Sequence, residues 1–258
     1  MNWYPQSGGG SLAQFPVRRV RKWRWIENLS ESGARITVPD AGTGEVEWRL
    51  SYSDLSDSEV AGLNGLFTAS CGTYAPFGFV DPLANLLAWS EDLTRADWQH
   101  SSLLVSGGLS DPLGGHAAWL LTNTTGGELK CSQSLGLPGS YVAAFSLWIR
   151  ADHPVTPALD RDGTRAQAAA GTTWSRVSLG AAGVAGAEVS TFSVVVPAGA
   201  SVQVFGFQAE AQPFPSQYKP SGAAAGIYPE TYFGSDELIV RATGSGLSAT
   251  DISLVSRV

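Results

Sequence analysis

From residue 101 to 151 the sequence keeps one beat, a short run of β-formers followed by a turn signal. The runs in SSLLVSGGLSDPLGGHAAWLLTNTTGGELKCSQSLGLPGSYVAAFSLWIRA are separated by GG, DPLGG, TTGG and LPGS. Glycine supplies positive φ and proline presets φ at turn positions, so this punctuation breaks helices and returns the chain as antiparallel strands. A chain with that cadence is predicted to form a β-sandwich. In YVAAFSLWIR the alternation puts Tyr141, Ala143, Phe145, Leu147 and Ile149 on one face, the predicted core, and Trp148 on the other with Ser146 and Arg150. TTWSRVSLG, EVSTFSVVVP and SVQVFGFQAEAQ continue the pattern and PFPSQYKPSG closes it, giving a predicted jelly-roll-like sandwich over residues 85–222.

The first 84 residues are built differently. After an N-terminal stretch rich in glycine and serine with isolated aromatics, VRRVRKWRWIEN and ARITVPD read as strands, with the turn signals ESG and DAGTG around the second. EVEWRLSYS alternates Val46, Trp48, Leu50 and Tyr52 against Glu45, Glu47, Arg49 and Ser51, the period of a half-buried strand. Ser56-Asp57-Ser58-Glu59 fits a capping box, Val60, Leu63, Leu66 and Phe67 follow at helical spacing, and Gly72 supplies the stop. TYAPFGFVDP returns as a strand. The last segment, TYFGSDELIVRATGSGLSATDISLV, reads as two strands too short to fold alone. The fold class is therefore mainly β: a β-rich domain with one helix over 1–84, completed by 223–258 after the GAAAG linker, plus the sandwich. NLLAWSEDLTRADWQ, at 85–99, reads as the joint, with Trp89 and Trp98 packing it.

Charge narrows the function classes. Charged residues make up 15% of the 258, below the roughly 25% of ordinary soluble domains. A surface covered by other subunits gives that count, and so does a β surface rich in Ser, Thr and Gly. The formal net charge of −7 argues against nucleic-acid binding, which needs clustered cations against phosphate. The exception is PVRRVRKWRWI, where Arg18, Arg19, Arg21, Lys22 and Arg24 stand with no acid. Two readings hold for it: a subunit interface facing an acidic neighbour, or a solvated strand edge kept from aggregating by its charges. No apolar run has the length of a secretory signal or a membrane span, so a soluble protein made in the cytosol, without membrane insertion, is expected.

Little catalytic or metal chemistry is legible. His100, His116 and His153 are isolated, and no metal, nucleophile-elbow or phosphate-loop spacing occurs. No cofactor is predicted, and no pair of acids marks an enzyme. Asp160-Arg161-Asp162-Gly163 resembles a piece of a calcium loop without its remaining ligands, which favours a plain turn. Cys71 and Cys131 read as free, structural thiols. Asn28-Leu29-Ser30 and Asn123-Thr124-Thr125 are sequons that matter only in a secretory pathway. What is left is surface aromatics on a sandwich, where an exposed indole stacks on a sugar flanked by amides and carboxylates. Trp148, Gln208 and Glu210 are the candidate glycan contacts, against the reading that Trp148 packs under a loop or on the first domain.

NLLAWSEDLTRADWQ, DPLGGHAAWLLT, YVAAFSLWIRA and FGFQAEAQPFPSQYKPSG together resemble the sandwich modules, similar to carbohydrate-binding domains, found in bacteriophage tail proteins. The stretch from YPQSGGGSLAQFPVRRVRK through WRLSYSDLSDSEVAGLNGLFTASCGTYAPFGFVDP resembles the first domain of a phage distal tail or tail-hub protein. The resemblance implies a structural component of the virion tail tip or baseplate, with copies of itself in a symmetric ring as partners. It adds tail tube, hub or fibre proteins, and a sandwich directed outward to a protein or a host-surface glycan. The alternative it leaves is a receptor-binding or glycan-binding tail protein anchored by its N-terminal domain. One departure stands out: ADHPVTPALDRDGTRAQAAAGTTW is short of strand hydrophobics, so a strand there is expected to be lost or irregular.

Overall fold

The alternation in EVEWRLSYS produces the longest strand of the molecule, and the rest of its sheet is laid on either side of it. The computed structural model describes residues 1–40, 42, 44–100, 102–223 and 225–257. The turn DAGTG and the linker GAAAG, as read from the sequence, therefore lie in part outside the described residues. In chain order the first elements are β1 (Val17–Lys22), β2 (Trp25–Leu29), β3 (Arg35–Pro39), β4 (Glu45–Ser56), α1 (Asp57–Ala69) and β5 (Phe77–Val80). The strands β6 (Leu104–Leu109), β7 (Ala118–Thr122), β8 (Leu129–Leu135), β9 (Val142–Arg150) and β10 (Ala158–Arg161) follow. Next are β11 (Thr164–Gln167), β12 (Ser175–Ala182), β13 (Ser190–Val196) and β14 (Ser201–Glu210). The chain ends with β15 (Ile227–Phe233), β16 (Val240–Gly244) and β17 (Leu247–Arg257). Among the described residues the protein is mainly β with one helix.

Two compact units emerge, one from Met1–Gly8, Leu12–Phe79 and Tyr228–Val258, the other from Gly9–Ser11 and Val80–Ile227. In the first, the sheet order is β1-β4-β17-β15-β5, with β16 hydrogen-bonded to β17. β17 runs antiparallel to β4, placing Leu254 opposite Trp48 and Ile252 opposite Leu50. Trp48, Leu50, Phe77, Phe79 and Tyr4 are fully buried there. Trp48 meets Phe79 at 4.9 Å and Tyr228 at 4.7 Å, both edge-on, an arrangement that aromatic quadrupoles favour. The N-terminal stretch belongs to this core: Trp3 bridges to Gly78, and the Tyr4 and Tyr52 hydroxyls lie 2.9 Å apart. Position 78 must be glycine, because a Cβ would sit 2.5 Å from the Trp3 ring.

α1 begins where its capping box predicts. The Ser56 amide donates to Glu59 Oε2 at 2.8 Å, the Glu59 amide returns to Ser56 Oγ at 3.4 Å, and the helix buries Leu63 and Leu66. At its far end Gly72, at φ +65°, donates its N–H to the Phe67 carbonyl. VRRVRKWRWIEN is not one strand: β1 ends at Lys22, and β2 pairs with β3 in a separate two-stranded ribbon.

The second unit is a sandwich of a four-stranded sheet, β11-β10-β13-β8, and a five-stranded sheet, β12-β9-β14-β7-β6. Phe145 of β9 contacts Phe192 of β13 at 5.6 Å, and Phe145, Leu147 and Ile149 are fully buried, as the alternation predicts. The expected loss of a strand in ADHPVTPALDRDGTRAQAAAGTTW is not met, since β10 and β11 form a hairpin there. Asp162 and Gly163 both take positive φ at its tip, the signature of a type I′ turn. β10 buries Ala158 and Leu159 as apolar side chains and Asp160 and Arg161 through polar partners. Arg161, fully enclosed, donates to the carbonyls of Tyr141 and Ala181 and to Ser190 Oγ, and Asp160 accepts from Arg165.

NLLAWSEDLTRADWQ is stitched into this sandwich. Asn85 donates to the Phe207 and Lys219 carbonyls and accepts from the Leu87 and Ala209 amides, while Gln133 holds both backbone groups of Ala88. Trp98, expected in the joint, instead packs on Phe207 at 4.6 Å inside the second unit. Asn123, the sequon residue, is 1% exposed and its amide nitrogen donates to three carbonyls. The two cysteines are free: Cys71 is exposed just past α1, and Cys131 is enclosed in β8, where burial pushes its thiol up to about 12. One thiol per chain is therefore expected to react with a disulfide reagent in the native protein and two after denaturation; two fast thiols in the native state would contradict this packing.

Candidate functional site

The outer face of the five-stranded sheet collects the residues that could touch a ligand, in three cross-strand rows. Arg176, Trp148 and Phe205 stand opposite one another in the middle row, and Ser178, Ser146 and Gln208 in the row on one side. On the other side Arg150 faces Gln203, Gln203 faces Leu120, and Trp174 extends the row from the end of β12. A β-bulge between Phe205 and Gln208 brings Gly206 to φ +66°, and a Cβ there would sit 3.0 Å from the Trp148 ring.

The segment after β14, QPFPSQYKPS at 212–221, crosses the first two rows and closes them. Tyr218 meets Trp148 edge-on at 5.4 Å and Phe205 at 5.5 Å, and the Arg176 guanidinium lies 4.7 Å from the Trp148 ring centroid. Arg176 also donates to the Ser216 carbonyl and to Ser146 Oγ. Beneath the strap Gln208 and Glu210 are 0% and 2% exposed. Gln208 Oε1 accepts from the Lys219 amide, and its Nε2 donates to Glu210 Oε2 at 2.7 Å. Glu210 Oε2 also accepts from the Ser216 amide, while Oε1 accepts from Ser216 Oγ and Lys219 Nζ at 2.6 and 2.8 Å. Burial alone would raise the Glu210 pKa, but the Lys219 ammonium and the Ser216 donors outweigh it and hold the carboxyl below its usual range. Burial pushes the Tyr218 phenol up, although the Ser90 hydroxyl opposes this.

The three glycan candidates from the sequence thus sit together, but Gln208 and Glu210 are enclosed and hold the strap. Their shared face is real; the strap that covers it has no periodicity to reveal it. Trp148 is half-buried under Tyr218 and Arg176, as its packing alternative has it. The third row was missed: Trp174 and Arg150 are half-buried there, and Gln203 is 8% exposed. Arg150 Nε donates to Gln203 Oε1 at 2.9 Å, and the Arg150 guanidinium lies 5.0 Å from the Trp174 ring centroid. Beside them runs a cleft of about 400 Å³ lined by Leu120, Asp152, His153, Ser201 and Gln203 among others. The only advance signal was Arg150 sharing the Trp148 face.

In the first unit Arg18, Arg19, Arg21, Lys22 and Arg24 are all exposed. Two of them already have acids within the chain: Lys22 reaches Glu47 at 2.6 Å and Glu45 at 3.7 Å, and Arg24 Nε reaches Asp40 at 2.6 Å. Hydrogen bonds from Lys22, then Arg49, hold the Glu47 carboxyl below its usual range. Among the described residues, no group of three or more His, Cys, Asp and Glu side chains is placed to hold a metal ion. No helix among them is long and apolar enough to cross a membrane.

No protein-family model matches the sequence, and no curated protein matches it. Solved structures that match in part include the tandem family 22 carbohydrate-binding modules of a Paenibacillus barcinonensis protein, at 16% identity and TM-score 0.43 over 67% of this chain and 61% of that one. The xylan-binding first module of the same protein matches at 16% identity and TM-score 0.42, over 53% of this chain and 97% of its own. The enzymatically active domain of tailspike protein 4 from bacteriophage CBA120 matches at 14% identity and TM-score 0.38, over 51% of this chain and 22% of that one. These likenesses assign neither ligand nor activity here.

Proposed function

We propose that the protein is a non-catalytic, glycan-contacting component of a bacteriophage tail, in which the sandwich makes the contact and the β-rich unit anchors it. The observation that carries the glycan contact is the pair of half-exposed side chains Trp174 and Arg150, the latter held by the nearly buried Gln203, beside the cleft of about 400 Å³. An indole, a guanidinium and an amide in one row offer a flat apolar surface with planar hydrogen-bonding groups at its side, which suits a pyranose ring with its hydroxyls at the rim. The tail context rests on the sequence resemblance of the two halves. A second reading, a ring-forming platform at the tail tip, is favoured by the exposed cations Arg18 and Arg21 on β1, an edge strand of the first sheet.

An array of bacterial surface polysaccharides tests the contact. Trp174→Ala is expected to weaken the strongest binding about 10- to 100-fold, the range that loss of ~1.5–3 kcal/mol of covered aromatic surface gives. Gln203→Ala removes the acceptor that positions Arg150 and should weaken it up to about tenfold, while Trp174→Ala should keep the wild-type melting temperature. A blank array, or binding indifferent to both substitutions, removes the glycan contact.

A further inference from the structure

We propose that the glycan taken by the sandwich is acidic, and that Arg150 selects it by pairing with a carboxylate on the sugar ring. The inference rests on the glycan reading above and narrows it to uronate-bearing polysaccharides. Arg150 ends β9, and Gln203 stands opposite it on β14. The guanidinium is held on two sides. Its Nε donates to Gln203 Oε1 at 2.9 Å, and its central carbon lies 5.0 Å from the Trp174 ring centroid. One contact at Nε and one on the flat face leave the two terminal nitrogens. Among the described residues those nitrogens have no protein acceptor and no acid within 4 Å.

That freedom sets Arg150 apart in its unit. Arg95, Lys130, Arg161, Arg165 and Lys219 each have an acid within 4 Å, and Arg176 gives both terminal nitrogens to Ser216 and Ser146. Gln203 is the second mark of a binding position. It is only 8% exposed and its carbonyl oxygen is taken by Arg150. Its Nε2 has no acceptor among the described residues, and the side chain lines the cleft of about 400 Å³. A nearly buried amide with an unanswered donor calls for an acceptor from outside, as does a guanidinium with both ends open. A uronate answers both. Its two carboxylate oxygens match the parallel terminal N–H groups, and a spare lone pair or ring hydroxyl serves Gln203. A neutral sugar offers the same fork only single hydroxyls. Asp152, the acid that lines the cleft, is exposed and beyond ion-pair distance of Arg150, so it does not fill the position. The net charge of −7 repels a polyanion at long range, but physiological salt screens it over about 8 Å, and the short oriented contact sets the preference.

Paired polysaccharides test this with the full chain. The panel holds neutral, phosphate-bearing and uronate-bearing bacterial polymers, the last printed both native and after reduction of their carboxyl groups to primary alcohols. The wild type should bind the native form of its best ligand at least about tenfold more tightly than the reduced form, the scale of one charge-assisted bidentate contact. Arg150→Gln should erase that difference. Arg150→Lys, which keeps the charge without the fork, should restore part of it. The wild-type comparison alone can overturn the proposal, whether or not Arg150→Gln folds. Equal wild-type affinity for the two forms, or best binding to a polymer without carboxylates, overturns the acidic assignment and leaves the glycan contact standing. A difference retained by Arg150→Gln with a wild-type melting temperature overturns the role of Arg150. A panel blank for every polymer removes the glycan contact itself, and this inference with it.

Discussion

Trp48→Ala is expected to destabilise the first unit by about 3–5 kcal/mol, the loss typical of truncating a large aromatic in a core. Trp48 is fully buried, sits on β4 between β1 and β17, and is the ring on which Phe79 and Tyr228 both rest edge-on. Removing it leaves a cavity that three strands of one sheet cannot collapse without losing register. Against a total of about 5–15 kcal/mol, that loss leaves the unit barely folded. Calorimetry should show its transition lowered by about 12–40 °C, at the ~4–8 °C per kcal/mol expected for this size. Trp48→Phe should cost far less, because the Trp48 indole nitrogen is buried without a hydrogen-bond partner and phenylalanine removes that unsatisfied donor. If Trp48→Ala melts within a few degrees of the wild type, Trp48 is not the centre of this core.

What was legible in the sequence was what neighbours along the chain determine. The Ser56–Glu59 capping box, the alternation through Trp48 and the inward face of YVAAFSLWIR depend on residues a few positions apart, and each forms as its pattern predicts. β10 was illegible because Asp160 and Arg161 break the apolar pattern, and what satisfies them is Arg165 of the hairpin partner and, for Arg161, groups 20 to 29 residues away at Tyr141, Ala181 and Ser190. The same reason hid the candidate site. Gln208 and Glu210 do share a face with Trp148, but whether that face is covered depends on where residues 212–221 cross it, which no local pattern encodes. The row of Trp174, Arg150 and Gln203 exists only through the register of β12, β9 and β14. The β2–β3 ribbon is a converse case: its strand pattern is ordinary, and only the sheet pairing shows that nothing in the described residues adds a third strand to it.

The strap over the sandwich face should be acid-labile through one carboxylate. All four acceptor positions of Glu210 are filled, by Gln208 Nε2, the Ser216 amide, Ser216 Oγ and Lys219 Nζ. Glu210→Gln keeps the shape but turns one oxygen into a donor facing donors, so at neutral pH it is expected to cost about 2–4 kcal/mol, near the range for breaking a buried ion pair. The folded pKa is depressed, so the carboxylate's contribution is fully present above the unfolded value of about 4.3 and is lost as pH falls through the folded one. The stability gap between wild type and Glu210→Gln should therefore be widest near pH 7 and narrow progressively in acid, where the wild-type side chain is itself neutral. Trp148, half-buried beneath Tyr218, reports on the strap, and its fluorescence should shift to the red in the variant at a lower denaturant concentration than in the wild type. A gap that is constant from pH 7 to strong acid would mean that the Glu210 charge does not hold the strap. No gap at any pH would mean that the strap is held by Tyr218 and Arg176 alone.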